Sequence, residues 1–329
     1  MKGVEVMKIG VFSVLYGDLS LPAMLDKIKS FGLNTVEIGC GGYPGKDHCD
    51  PEVLLADPKK LDEFQQTLRD AGVEISALSV HGNALHPNPE IAQRFHEDWR
   101  NACRLAGKLG IEIINTFSGC PGDSDQAKYP NWVTCSWPTD FFEILKWQWE
   151  EKIIPYWQEE SKFALEHGVN KIAFEMHPGF AVYNVDTLLK LREAVGETIG
   201  ANFDPSHLVW QGVDPVAAIR ELGKHQAIFH FHAKDTHIDP YNTAINGVLD
   251  TKEYDRLPER SWLFRSVGYG KDYKYWKDIV SALRLVGYDY VLSIEHEDAL
   301  ASIDEGFGKA VRFLQEVILN EPMPQAWWI

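Results

Sequence analysis

No two cysteines in this chain stand as CxxC, and the five present (Cys40, Cys49, Cys103, Cys120 and Cys135) leave one over in any pairing. That spacing argues against a disulfide framework or a structural zinc site and for a reducing, cytoplasmic compartment. No signal-peptide h-region opens the sequence, and no apolar run approaches the ~18 residues a membrane span needs, so no membrane partner is expected. Basic residues are scarce: 32 Lys and Arg stand against 48 Asp and Glu, a net charge of −16. Proteins that track phosphates usually present a basic face, so this balance argues against a nucleic-acid partner. Also missing are a GxGxxG after the first apolar run and a GK[ST] ending on the glycine-rich GCGGYPG (39–45). Their absence disfavours a doubly wound dinucleotide fold and a phosphate-binding P-loop, and leaves GCGGYPG as a loop bending closely past a site.

What is present is a regular alternation. Short β-branched and aromatic runs occur at KIGVFS (8–13), TVEIG (35–39), EISALSV (74–80), IEIINTF (111–117), KIAFEM (171–176), IGANFD (199–204), AIFHFH (227–232) and YVLSIE (290–295). Segments of helical period separate them, most closing on glycine as helix C-termini do. Eight β-then-α units over 329 residues predict an α/β fold, a (β/α)8 TIM barrel. No Gly/Ser/Pro tract divides the chain, which predicts a single domain over 1–329, with a barrel core at about 8–319 and a C-terminal tail at 320–329. Two connections exceed plain turns, Ser118 to about Asp140 after the fourth run and Lys234 to about Lys271 after the seventh. Loops of that length are lids or interaction elements, and the aromatic Tyr129, Trp132 and Trp137 and the basic Arg256, Arg260 and Arg265 lie on them.

The chemistry gathers at the ends of the last four runs. Glu175 ends AFE, Asp204 ends NFD, His232 ends HFH and Glu295 ends SIE. In a barrel these ends converge on the C-terminal face, where three carboxylates must either take up protons or find a cation. An imidazole beside hard oxygen donors favours one divalent metal ion, Mn²⁺ first, with Mg²⁺, Co²⁺ or Zn²⁺ as alternatives. His230 and His232 point to the same side at a spacing of about 6.6 Å, two residues of strand rise. His232 then sits at the rim, His230 one layer deeper as a hydrogen-bonded core residue, and Phe229 and Phe231 face the helix layer. His177, His207, His81, Asn83, Glu37 and Lys234 ring the same mouth as candidate substrate contacts, with Asn115 in the fourth strand. Trp132 and Arg265 join them from the two long connections, and Arg260 with Arg265 raises the alternative of a phosphate clamp.

At these motifs the chain resembles the xylose-isomerase-like barrel superfamily, the sugar phosphate isomerase/epimerase group that includes inosose dehydratases and isomerases, ketose 3-epimerases and, more distantly, endonuclease IV. The resemblance runs from about Lys8 to Leu319 and rests on VEIG, SVHGN, EMHPG, NFDPSH, HAKD and SIEHED in the family's order. It implies that Glu175, Asp204, His232 and Glu295 are the metal ligands and that His207 contacts substrate oxygens. It also implies that Glu175 and Glu295 are the catalytic acid/base pair, one on each side of a sugar. The extra histidines of endonuclease IV are missing, since the fourth run ends in NTF, which argues against a nuclease.

A divalent ion holding a carbonyl and its neighbouring hydroxyl acidifies the C–H between them and stabilises an enediolate. The expected function is therefore a metal-dependent sugar or keto-sugar isomerase or epimerase with a small polyhydroxylated substrate, unphosphorylated by preference. A lyase sharing the first step is the alternative, either a dehydratase or the 3-keto-glycoside cleaving subunit of a C-glycoside deglycosidase; a non-catalytic sugar-binding barrel is the third reading. The terminal QAWWI places two tryptophans beyond the last helix, which suggests packing over the barrel or against another subunit, and a homo-oligomer or a small accessory subunit completes the expected partners.

Overall fold

The computed structural model describes residues 7–325 and 328. Asp or Asn followed by proline starts several of its helices. Asp57, Asn88 and Asp214 each accept a backbone N–H of the turn they open, and Pro58, Pro89 and Pro215 fill the first helical position, where no N–H is needed. Helices Pro58–Ala71 and Pro89–Leu109 both stop at a glycine in the left-handed region, Gly72 at φ 65° and Gly110 at φ 71°. These punctuation marks return the chain to the sheet after each helix.

The strands are β1 (Lys8–Phe12), β2 (Thr35–Gly39), β3 (Glu74–Ser79), β4 (Ile113–Thr116), β5 (Lys171–Glu175), β6 (Ile199–Phe203), β7 (Ile228–Ala233), β8 (Asp235–Ile238), β9 (Trp262–Arg265) and β10 (Val291–Ile294). Eight of them close a parallel barrel in the order β1-β10-β7-β6-β5-β4-β3-β2, and Lys8 pairs with Val291 at the seam. The fold is therefore the α/β TIM barrel that the alternation predicts. Its upper interior is unusually polar. Glu37, Ser79, Asn115, His230, His232 and Ser293 fill positions where branched apolar side chains ordinarily pack, and all are buried.

Strand alternation misplaces one residue. Phe231 faces the helix layer as expected, stacking on Phe203 at 5.4 Å and approaching Trp276 at 6.5 Å. Phe229 does not: the β6–β7 register shifts between Ala201 and Asn202, and its ring joins Ala77, Ile113 and Ala173 in a cluster at the barrel floor. An extra residue at such an irregularity offsets the two-residue period by one. The floor cluster seals the barrel below the polar layer.

The connection after β7 is more than a loop. Its two ends pair as an antiparallel ribbon, β8 with β9, with Thr236 opposite Phe264. Asp235 anchors the return: one carboxylate oxygen accepts from the backbone of Gly268, Gly270 and Lys271 and from Trp276 Nε1. The connection after β4 is pinned by Gln148, whose amide donates to the carbonyls of Pro121, Gly122 and Asn131. Its Tyr129 and Trp137 remain exposed. No helix among the described residues is long and apolar enough to cross a membrane. Of the two terminal tryptophans, Trp327 lies outside the described residues and Trp328 is exposed.

Candidate metal centre

Four barrel strands deliver the central cluster. Glu175 is the last residue of β5, His232 lies in β7, and Asp204 and Glu295 each follow the last residue of β6 and β10. One ligand atom from each of the four lies within 4.8 Å of those of the others. Asp204 divides its oxygens between two tasks. Oδ1 caps the short helix Pro205–Trp210 by accepting from Ser206 N at 2.8 Å, which leaves Oδ2 for the cluster.

His232 is gripped from below by Glu37, whose two oxygens each lie 2.9 Å from Nε2. Glu37 is itself saturated by Ser79, by Asn115 at 2.9 Å and by Ser293 at 2.7 Å. The ring is thereby oriented so that Nδ1 looks up at Glu175 Oε2, 3.3 Å away, and Glu295 Oε2, 3.0 Å away. Such a carboxylate–imidazole pair fixes which nitrogen is offered to a metal and makes it more basic. His230, one layer deeper, is bound to Ser76, Asn115 and Asn202, the hydrogen-bonded core position its spacing suggests.

The protonation pattern follows from burial and charge. Burial works to raise the Glu37 and Glu175 carboxyls, yet their histidine partners outweigh it and hold both below the usual carboxylate range. Asp204 has weaker partners: burial pushes it up to about 7, the charges of Glu175 and Glu295 add to that, and Lys234 only partly opposes it. Burial acts to strip the proton from His232, but the charges of Glu37 and Glu295 keep it on. Burial, with the charges of His177 and Lys234, lowers His207 to about 3 and leaves it neutral.

The donor set fits a divalent cation. Asp204 Oδ2 and His232 Nδ1 are buried without a hydrogen-bond partner among the described residues, although charged groups stand within 3.3 Å of each. Close approach without hydrogen-bond geometry is the arrangement expected of atoms that share an ion, and three oxygens with one nitrogen suit a hard or borderline metal. Lys234 already supplies one positive charge, with Nζ 2.7 Å from Glu295, 3.1 Å from Asp204 and 3.0 Å from Glu297. An ion taking the place of the His232 Nδ1 proton would complete the charge opposite the three carboxylates.

Above the cluster opens a cavity of about 310 Å³, lined by Glu175, Glu295, His81, His177, His207 and Lys234 together with aromatic residues. His207 Nε2 lies 2.9 Å from Glu175 Oε1, and His81 Nε2 lies 3.1 Å from Oε2 of the same carboxylate. Other candidate contacts are placed elsewhere. Glu37 lies beneath His232, fully buried, and cannot touch a substrate. Asn83 is spent on both backbone groups of Cys120. Trp132 packs edge-on against Tyr183 at 5.4 Å, away from the cavity wall. Arg265 is paired with Asp298, while Arg260 is buried against Tyr254 and Trp262 and bonded to the carbonyls of Lys252 and Trp262. Neither arginine is free to clamp a phosphate. Sequence reasoning passed over Glu297, two residues beyond Glu295 and so on the same side of an extended segment, and Tyr43, which GCGGYPG carries to the cavity wall.

Comparison with known proteins agrees with this architecture. Residues 25–317 match the family described as xylose isomerase-like TIM barrel. The uncharacterised protein YfiH of Bacillus subtilis (strain 168) is 38% identical over 314 residues, covering 95% of this chain and 99% of that one. Among solved structures, the probable 3-DHS dehydratase AsbF of Bacillus anthracis superposes with a TM-score of 0.64 at 16% identity, over 94% of this chain and 99% of that one. A D-tagatose 3-epimerase-like protein superposes at 0.62 with 22% identity, over 94% and 98%. At such identities the likeness of the structures is one of fold.

Proposed function

The chain belongs to the xylose isomerase-like TIM barrel family, and from that premise we propose a divalent-metal-dependent isomerase or epimerase acting on an unphosphorylated sugar, keto-sugar or cyclitol. One observation carries the reading: Glu175 and Glu295 converge from different strands on the Nδ1 of a single buried imidazole, under a cavity of small-molecule size. Mn²⁺ is the preferred ion, since hard oxygen donors dominate the set, with Mg²⁺, Co²⁺ and Zn²⁺ as alternatives.

When bound, the ion supplies Lewis-acid polarisation of a substrate carbonyl and its neighbouring hydroxyl. Glu175, kept ionised by His81, His207 and His232, accepts the proton on the carbon between those groups. Positioned acid/base groups of this kind contribute typically ~10²–10⁴-fold. Glu295, hydrogen-bonded to Lys234 at 2.7 Å, faces the same cavity and relays a proton from the Lys234 ammonium to the other side of the substrate, which inverts the centre; Glu175 then releases its proton to solvent and Lys234 regains one. Return by Glu175 to the adjacent carbon, with the hydroxyl proton passing to the former carbonyl oxygen, instead exchanges aldose and ketose. Neutral His207 donates to Glu175 in the resting state and to a substrate oxygen once Glu175 is protonated. Phe12, Tyr43 and Phe117 exclude water around the reacting carbons.

Dehydration is the second reading, supported by the Lys234–Glu297 pair on the cavity wall. An ammonium there can protonate a departing hydroxyl after the same first step.

The test is incubation of the Mn²⁺-loaded protein with ketopentoses, ketohexoses and inososes in D₂O, followed by mass spectrometry. Deuterium in the product without other mass change is expected, and a product lighter by water selects the dehydratase. Conversion without any solvent deuterium would overturn the proton-transfer route.

A further inference from the structure

A second cavity, of about 510 Å³, adjoins the one above the metal centre and is the larger of the two. His177 and Glu297 line both, so the two spaces lie side by side as neighbouring lobes. The second lobe is the more apolar of the two: Tyr254, Leu257, Leu263, Phe264, Leu300 and Ile303, from the insertion after β7 and the segment after β10, face it beside His296, Glu297 and Asp298. Resting on the function proposed above, we propose that the natural substrate carries a neutral, aromatic-sized apolar substituent on its polyhydroxylated ring, and that this lobe receives it.

The lobe is built before any ligand arrives. Tyr254 stacks nearly parallel to Phe264 at 6.2 Å and is backed by the Arg260 guanidinium 4.2 Å from its ring, an arginine only 2% exposed. Phe264 continues towards the metal centre, 5.1 Å from the His207 ring, with Lys234 Nζ 4.7 Å above it. Asp298 fastens the opposite wall by accepting from Arg265 Nε and from Ser266 N and Oγ, which joins the segment after β10 to the end of β9. A preformed pocket spares a ligand the ordering cost that otherwise weakens binding.

No part of the described chain fills the space. Tyr254, Leu300 and Ile303 stay 59%, 57% and 45% exposed at its lip. After helix Ile303–Val317 the chain passes Glu321 at the other end of the barrel, where its carbonyl accepts from Arg284 at the close of helix Tyr273–Leu285. A bare sugar over the metal centre would leave this apolar wall facing water and forgo the free energy that covering it provides. An anionic substituent is disfavoured: Glu297 and Asp298 line the lobe, and Arg260 and Arg265 are committed to their own partners.

The experiment uses 2-naphthol, neutral at pH 7 and independent of which sugar is correct, titrated into the full-length protein and followed by saturation-transfer NMR. Leu257→Glu and Leu300→Glu carry the negative control, with thermal melting to verify folding and Mn²⁺ titration of the same samples. Saturable binding is expected, weakened about tenfold in each variant, with the Mn²⁺ affinity unchanged. Absence of saturable binding, or equal binding by the wild type and both folded variants, would overturn the proposal. Failure of the functional reading looks different: no Mn²⁺ binding, with lobe-dependent naphthol binding intact.

Discussion

Glu37 lies with both carboxylate oxygens 2.9 Å from His232 Nε2, and the other nitrogen of that ring is thereby turned to Glu175 and Glu295. The two residues are 195 positions apart in the chain. Glu37 is not one of the four candidate ligands, yet it decides which atom of His232 is offered to an ion.

Glu37→Gln keeps the shape of the side chain and removes its charge. Loss of such a partner typically weakens metal binding by about 10–100-fold. Competition with a fluorescent chelator measures the change, and an unaltered Mn²⁺ affinity would show that the pair has no part in metal binding.

Metal binding carries a pH dependence whose sign follows from Asp204. Its carboxyl, lifted to about 7 chiefly by burial, must be ionised to bind a cation, and His232 must give up its Nδ1 proton. Because the folded value exceeds the unfolded one, protonated Asp204 stabilises the metal-free fold at low pH, and that contribution is lost as pH rises through about 7. Added Mn²⁺ should therefore raise the melting temperature more at pH 8 than at pH 6. Differential scanning fluorimetry at the two values checks this; an equal or reversed increment sinks it.

Asp235 holds the insertion in place. Truncation to Ala strands the buried N–H of Trp276 and the part-buried N–H groups of Gly268, Gly270 and Lys271. The expected loss is about 3 kcal/mol, since each buried unsatisfied group costs roughly 1–3 kcal/mol and relaxation recovers part. Urea denaturation gives the number, and a loss below about 1 kcal/mol would mean that the anchor is dispensable.

Gly42 brings its loop against the metal-centre rim. Its φ is 65°, its N–H donates to Asp98, and a Cβ placed there would collide with the His81 carbonyl, to which Tyr43 N also donates at 2.7 Å. Gly42→Ala should cost about 2 kcal/mol and displace Tyr43 from the cavity wall. A melting temperature equal to that of the wild type would refute this.

Much of the scaffold was legible because its signals are local. An alternation of strand and helix periods, closed by Asp-Pro starts and glycine stops, is written in neighbouring residues. The strand-end residues Glu175, Asp204, His232 and Glu295 were legible for the same reason, since a parallel barrel aims every strand end at one face. Phe229 departs from strand alternation because a register shift between β6 and β7 depends on how two strands pair, which neither strand's own sequence states.

By itself, then, the sequence determined the barrel and the quartet at its mouth, since both follow from periodicity within single elements. Only the tertiary structure decided that Glu37 supports His232 from beneath, that Arg265 is spent on Asp298, and that the insertion and the segment after β10 enclose a second, apolar lobe. Those relationships join residues far apart along the chain. They are set by strand register and by the path of a long insertion, which emerge only when the whole barrel closes.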